Sequence, residues 1–393
     1  MSGWPVFDDE QIDAATAVLR SGNVNYWTGA EGRAFEAEFA DATGCKHGIA
    51  LANGSVALEL ALRGFGVGPG DEVVVTPRSF IASASSAVLC GARPVFADVD
   101  PDSQNITAET IRAVISPRTR AVIAVHLAGW PCDMDPIVAL CRERGIKLIE
   151  DCAQAHGASY RGRPVGALGD AAAFSFCQDK IMTTAGEGGM LVTNDRQLWS
   201  WAWSFKDHGK NYDAVYRRAH PPGFRWLHES FGTNWRMTEI QAAIGRIQLR
   251  RLPTWLGHRR RNAAILTDRL QMIPALRVPT PSADTHHAFY KFYAFVQPES
   301  LPEGWNRDRL MNAINEKGVA CFSGSCSEIY REKAFSCTDM APGSRLPVAR
   351  GLGETALMFL VDPTLSEEDM RRTADVVEAV LLEAAEPALE MAG

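Results

Sequence analysis

FSFCQDKIMTTAGEGGM, Phe174 to Met190, sets one lysine, Lys180, on a short loop between two apolar blocks, AAAFSF (Ala171 to Phe176) and GMLVTND (Gly189 to Asp195). Short apolar runs bounded by turn residues read as buried strands. Outward from this pair, similar blocks recur at DEVVVTP (Asp71 to Pro77), RPVFADV (Arg93 to Val99), RAVIAVHL (Arg120 to Leu127) and IKLIEDC (Ile146 to Cys152). Helical patterns separate them at Ser55 to Leu62, Ala82 to Cys90, Thr107 to Ile115 and Pro136 to Arg144. The alternation predicts an α/β fold with a mostly parallel central sheet covered by helices. Ligands in such sheets collect at the carboxyl ends of the strands, which directs attention to the loops that follow these blocks.

Further along, Thr238-Glu239-Ile240-Gln241 is a capping box, and the helix it opens is expected to stop at Leu252, because Pro253 removes an amide donor and crowds the preceding turn. Arg259 to Leu270 then reads as a separate connecting helix. The strand pattern HAFYKFYAFV (His287 to Val296) and helices near Arg307 to Lys317 and Ser366 to Leu382 predict a smaller α+β domain. The expected division is a large cofactor-binding domain with an N-terminal arm, residues 1–252, and a small C-terminal domain, residues 253–393.

A net charge of −7, from 40 Lys and Arg against 47 Asp and Glu, gives no global attraction to nucleic acid or to an anionic membrane. The beginning of the chain, MSGWPVFDDEQ, lacks a basic-then-apolar leader, and no apolar run has the length of a membrane span, so a cytoplasmic location is expected. The nine cysteines are scattered without paired CxxC spacing, and His286 and His287 are neighbours whose side chains diverge in regular structure; no metal site is expected.

Lys180 suits pyridoxal 5′-phosphate (PLP) chemistry, which needs an amine at a fixed point to form an imine with the cofactor aldehyde and then to move protons. Asp151, ending the block KLIED, can pair with the pyridine nitrogen and keep it protonated, and Gln154 can reach the 3′-oxygen. Asn53-Gly54-Ser55, opening a helix, offers backbone amides and a hydroxyl to a phosphate, with the Ser175 hydroxyl in support. Phe80 is placed to stack on the cofactor ring. GFGVGPG (Gly64 to Gly70) resembles a dinucleotide fingerprint but follows a helix and precedes a strand, the reverse of the required order.

Together these motifs resemble the DegT/DnrJ/EryC1/StrS sugar aminotransferase family of fold-type I PLP enzymes. The ordered series NGSVALELAL, GPGDEVVV, GARPVFADVD, VHLAGWPCDMD, IEDCAQAHGA, FSFCQDK, GEGGMLVTND, KDHGK and GTNWRMTEIQAAIG covers nearly the whole chain. The resemblance implies Lys180 as the Schiff-base lysine, Asp151 on the pyridine nitrogen, Gln154 near the 3′-oxygen, Phe80 as the stacking aromatic, and Gly54, Ser55 and Ser175 on the phosphate. It further implies that Asn234 reaches the phosphate of a neighbouring subunit in a homodimer with shared sites, and that Thr28 and His208 lie near the substrate. Two departures stand out: Ala185 where glycine is commoner, and ACFSGSCSEIY (Ala320 to Tyr330) in place of a short proline-rich motif beside the sugar site. The implied activity is ping-pong transfer of an amino group from glutamate to a keto-sugar nucleotide. Close rivals are a transaminase acting on a free cyclitol ketone and an aminobenzoate-forming relative. A PLP-binding regulatory protein without turnover is the rival of another class. Arg33, Arg78, Arg225, Arg236, His208 and Lys291 form the pool of cations for an anionic substrate.

Overall fold

The computed structural model describes residues 3–390, so the extreme ends of the two expected domains, 1–2 and 391–393, lie outside the described residues. In chain order the first half contributes β1 (His47–Leu51), β2 (Glu72–Val75), β3 (Arg93–Phe96), β4 (Thr119–Val125) and β5 (Lys147–Asp151). The two-residue strands β6 (Ser159–Tyr160) and β7 (Arg163–Pro164) follow, then β8 (Ala171–Ser175) and β9 (Gly189–Thr193). Seven of these form one sheet in the order β1-β9-β8-β5-β4-β2-β3. Pairing is parallel from β8 to β3, whereas β9 runs antiparallel to both β8 and β1. The β8–β9 connection, the loop that carries Lys180, contains no helix to cross the face of the sheet, and the two strands it joins pair side by side as antiparallel neighbours.

Six of the seven strands match the expected blocks; β1 was not among them. Alternate side chains along each strand enter different cores, as the pleat requires. Val73 and Val75 pack with the helices Gly54–Gly64, Ala82–Leu89 and Arg196–Phe205, while Val74 joins Ile137, Leu140 and Cys141 of the helix Met134–Arg144 on the other face. Beneath β8 and β9 a third cluster gathers Phe35, Phe39, Phe174, Phe176 and Met190.

The C-terminal sheet is β10 (Leu276–Arg277), β12 (Phe292–Val296), β14 (Ala356–Phe359) and β13 (Cys321–Phe322) in that spatial order, all antiparallel. It packs against the helices Arg307–Glu316 and Glu367–Glu390. β11 (Thr285–His286) pairs instead with β6, which joins the two halves.

Two expectations need correction. The helix opened by Thr238 does not stop before Pro253: Glu239–Leu270 is continuous over 32 residues, with Pro253 inside it. One missing amide bond is outweighed by the apolar positions on both sides of the proline, Leu252 and Leu256 in one core and Ala263, Leu266 and Leu270 in another. The domain boundary expected at 252 therefore falls within a helix. The second concerns His287 to Val296, of which only Phe292–Val296 is strand. The residues before it dock on the loop after β4, where the Ala288 amide donates to the Gly129 carbonyl and the Tyr290 amide to that of Ala128. Among the described residues, no helix is long and apolar enough to cross a membrane.

Candidate active site

The loops at the carboxyl ends of β2, β5 and β8 meet the C-terminal sheet around a cleft of about 540 Å³, whose walls include Phe80, Gln154, Asp179, Lys180, Tyr290 and Lys291. Lys180 is largely enclosed, with 16% of its side chain exposed. Its Nζ lies 3.4 Å from the Tyr290 hydroxyl and 3.4 Å from Oδ1 of Asp179. Tyr290 in turn donates to the Asp179 carboxylate. Burial raises the Asp179 carboxyl, but the Lys180 charge and the Tyr290 hydrogen bond outweigh it and hold the pKa below the usual carboxylate value. The Tyr290 hydroxyl is driven far above its ordinary value by burial and by the Asp179 charge.

Asp151 ends β5 as a buried carboxylate. One oxygen accepts the Ser83 hydroxyl at 2.7 Å and the other accepts the Ala153 amide at 3.1 Å. Burial pushes its pKa up, and these two hydrogen bonds with the nearby Lys180 charge return only part of the shift. The carboxylate therefore stands in surroundings that call for a further positive group. Gln154 spends its Oε1 on the Ala128 amide at 2.7 Å, which leaves the amide nitrogen as the donor it can offer to the cleft. Phe80 lies at the mouth with 67% of its surface exposed.

Alongside, Asn53 caps the helix Gly54–Gly64 by accepting the Val56 amide at 3.0 Å. The start of this helix is pressed against β8: a Cβ at Gly54 would stand 2.7 Å from the Ser175 Cβ. A Cβ at Gly189 would lie 2.3 Å from the Asn53 carbonyl carbon. Gly54 and Gly189 thus permit the close approach that brings unpaired helix amides and the Ser175 hydroxyl to one place, a ready anion seat.

Beside Asp151, ligand atoms of His126, Glu150 and Cys152 lie within 4.8 Å of one another. Glu150 already accepts the amides of Gly166, Leu168 and Gly169 and contacts His126 Nε2 at 3.0 Å. His126 Nδ1 accepts the Cys132 amide at 3.0 Å, which makes Nε2 the donor to Glu150. These atoms are spent on protein hydrogens, and the cluster stitches the loop after β7 to the strand that presents Asp151.

The structure therefore gathers Lys180, Asp151, Gln154, Phe80, Ser175, Gly54 and Ser55 around one end of the sheet. Asn234, Thr28 and His208 are exposed and are not among the residues lining the Lys180 cleft. Asn234 pairs with Asp207 in an isolated bridge, and Thr28 bonds the Asn25 carbonyl. Asp179, Tyr290 and Ser83 were missed in the sequence. Asp179 adjoins Lys180, and that adjacency was the one signal available.

A doubly wound sheet of this topology, with a lysine loop, a buried carboxylate and a glycine-lined helix terminus at its carboxyl edge, defines a fold-type I PLP-dependent transferase, and these residues fit that cofactor. The chain belongs to the DegT/DnrJ/EryC1/StrS aminotransferase family, whose sequence profile it matches over residues 5–380. It is a PLP-dependent aminotransferase. Among solved structures it is similar to an aminotransferase from Psychrobacter cryohalolentis, at 54% identity and a TM-score of 0.96 over 98% of this chain and 99% of that one. Among characterised relatives it is 47% identical to a GDP-perosamine synthase of Caulobacter vibrioides, over 91% of this chain and 92% of the other. It is 36% identical to a UDP-N-acetyl-3-dehydro-alpha-D-glucosamine 3-aminotransferase of Acidithiobacillus ferrooxidans, over 91% of both chains.

Proposed function

We propose that this aminotransferase takes an amino group from glutamate in one half-reaction and delivers it to a keto-sugar nucleotide in the second. The observation that carries the sugar-nucleotide reading is the match along nine-tenths of both chains to two relatives whose names specify nucleotide-linked amino sugars. Bound PLP supplies an aldehyde that takes up the amino group and an electron-poor ring that lets the Cα proton leave.

The chain's own residues serve that chemistry as follows. Lys180 would hold the cofactor covalently and, once displaced by the amino donor, its Nζ would take up and return the proton of the substrate carbon. Such positioned proton transfer contributes on the order of 10² to 10⁴ in rate. Asp179 and Tyr290 orient that nitrogen, the one as an ionised neighbour and the other as a hydroxyl partner. Asp151 would pair as a carboxylate with the pyridine nitrogen, with Ser83 and the Ala153 amide fixing its plane. Gln154 would donate to the 3′-oxygen, Phe80 would cover the ring, and Gly54, Ser55 and Ser175 would hold the phosphate. Asn234 would complete the phosphate site of a second copy, with Thr28 and His208 near the substrate, so the working unit would be a homodimer.

The test is an ultraviolet-visible spectrum of the purified holoenzyme, recorded before and after glutamate and then with a panel of keto-sugar nucleotides and free inososes. Loss of the cofactor's visible band with glutamate and its recovery with a keto-sugar nucleotide is expected. Recovery with an inosose alone would move the substrate to the cyclitols, and a band that ignores every amino donor would refute turnover.

A further inference from the structure

Both substrates of the proposed reaction are anions, yet the chain is acidic overall, so a cation must stand in the cleft itself. Five of the six candidate cations are not among the residues lining this cleft. Arg33 donates to the carbonyls of Tyr26 and Gly29 and lines a separate cavity. Arg236 is paired with the buried Asp207 carboxylate at 2.6 Å. Arg225 and His208 are exposed and absent from the cleft lining. Arg78 is fully buried and absent from the cleft lining; its Nε donates to Gln104, its guanidinium carbon lies 5.6 Å from the centroid of the Tyr293 ring, and its two terminal nitrogens have no protein partner.

Lys291 alone of the six lines the Lys180 cleft. Its Nζ takes part in no ion pair or side-chain hydrogen bond among the described residues. It sits 4.8 Å from the centroid of the Tyr290 ring, and Lys180 Nζ sits 5.0 Å from the same centroid. One aromatic ring thus spaces the two ammonium groups along a short span of wall. An amino donor that displaces Lys180 puts its nitrogen where Nζ had been and its α-carboxylate two bonds further on. A nucleotide diphosphate, by contrast, lies several bonds from the carbon that is aminated.

We infer that Lys291 is the cation that receives the α-carboxylate of the amino donor in the Lys180 cleft. The inference rests on Lys180 being the reacting lysine. Burial lowers the Lys291 ammonium pKa; the Asp179 and Asp362 charges oppose this and those of Arg259 and Lys180 add to it, and the net shift stays downward, so a bound carboxylate relieves a cost that these neighbours offset only in part.

The experiment titrates the cofactor band of holoenzyme with L-glutamate and with 4-aminobutyrate, which keeps the distal carboxylate and lacks the α-carboxylate, and measures GDP binding by calorimetry. Lys291→Met is expected to raise half-saturating glutamate at least tenfold while leaving the weak 4-aminobutyrate response and GDP affinity within twofold, and Lys291→Arg to restore glutamate to within a fewfold. Unchanged glutamate titration overturns the inference. So does a loss confined to GDP, which assigns Lys291 to the phosphates, or loss of the cofactor band in both variants, which assigns it to the cofactor site. Failure of the underlying reading is seen separately, as a covalent cofactor band that survives Lys180→Ala.

Discussion

Asp151, which the proposed reaction uses as a carboxylate, is buried at a cost to stability. Its carboxyl is raised by burial, so the cofactor-free protein gains from this group while it is protonated and loses that gain as pH rises through the folded-state pKa. Asp151→Asn removes the titration and keeps the shape and an acceptor for the Ala153 amide. Apoprotein carrying it should melt a few degrees above wild-type apoprotein at pH 8, and the two should converge near pH 4. PLP should then raise the melting temperature of the variant less than that of the wild type. An Asn apoprotein that melts lower at pH 8 would mean that the Ser83 and Ala153 hydrogen bonds outweigh burial. Ala185 makes a similar point about backbone. It holds φ at 64°, a left-handed conformation costing an L-residue about 1 kcal/mol, directly before Gly186 at φ 115°. Ala185→Gly should leave the cofactor spectrum unchanged and alter the urea midpoint by the equivalent of about 1 kcal/mol or less toward stability, because glycine's looser unfolded chain offsets part of the relief. At this scale the sequence showed Lys180, Asp151, Gln154 and the Asn53-Gly54-Ser55 turn, because each sits at a fixed offset from a strand or a helix start. It hid the Asp179–Tyr290 pair, 111 residues apart, because their contact depends on residues 288–290 docking on the loop after β4.

Elements were legible where one period dominated. The blocks that became β2, β3, β4, β5, β8 and β9 are short apolar runs between turns, and all six were anticipated. β1 was not, because His47–Leu51 runs almost directly into the apolar helix Gly54–Gly64, and only Asn53 with its cap separates a five-residue strand from what reads as one apolar stretch. Strand direction was equally hidden, since composition does not say that β9 returns antiparallel. The helix Glu239–Leu270 failed for the opposite reason: a strong local signal, Pro253, lost to tertiary packing on both sides of it. Pro253 itself is exposed, so its ring contributes little to the core. Pro253→Ala should restore one helical amide bond worth up to about 3 kcal/mol with its relieved clash, less about 1 kcal/mol from the freer unfolded chain. A net gain of about 1 to 2 kcal/mol in urea unfolding is expected, with the cofactor spectrum unaltered. A loss of stability instead would show that the two halves need the bend a proline imposes.

On the scale of the molecule, the isolated chain leaves too much apolar surface in one short segment. Phe224, Trp226 and Phe231 are 76, 81 and 100% exposed, all within ten residues of Asn234, and soluble proteins rarely present such a cluster to water unless something covers it. Asn234, Thr28 and His208 are also exposed and stand outside the Lys180 cleft of their own chain, which is the arrangement the proposed shared site requires, since Asn234 would then act in the cleft of a second copy. Complementation tests this directly. Lys180→Ala and Asn234→Ala should each be nearly inactive alone. In a one-to-one mixture unfolded and refolded together, half the dimers are hybrids, and each hybrid holds one site with both residues intact and one with neither. Activity should therefore return to roughly a quarter of wild type. Hybrids seen by native mass spectrometry without any recovered turnover would place Asn234 in the site of its own chain and leave the aromatic segment to serve assembly alone.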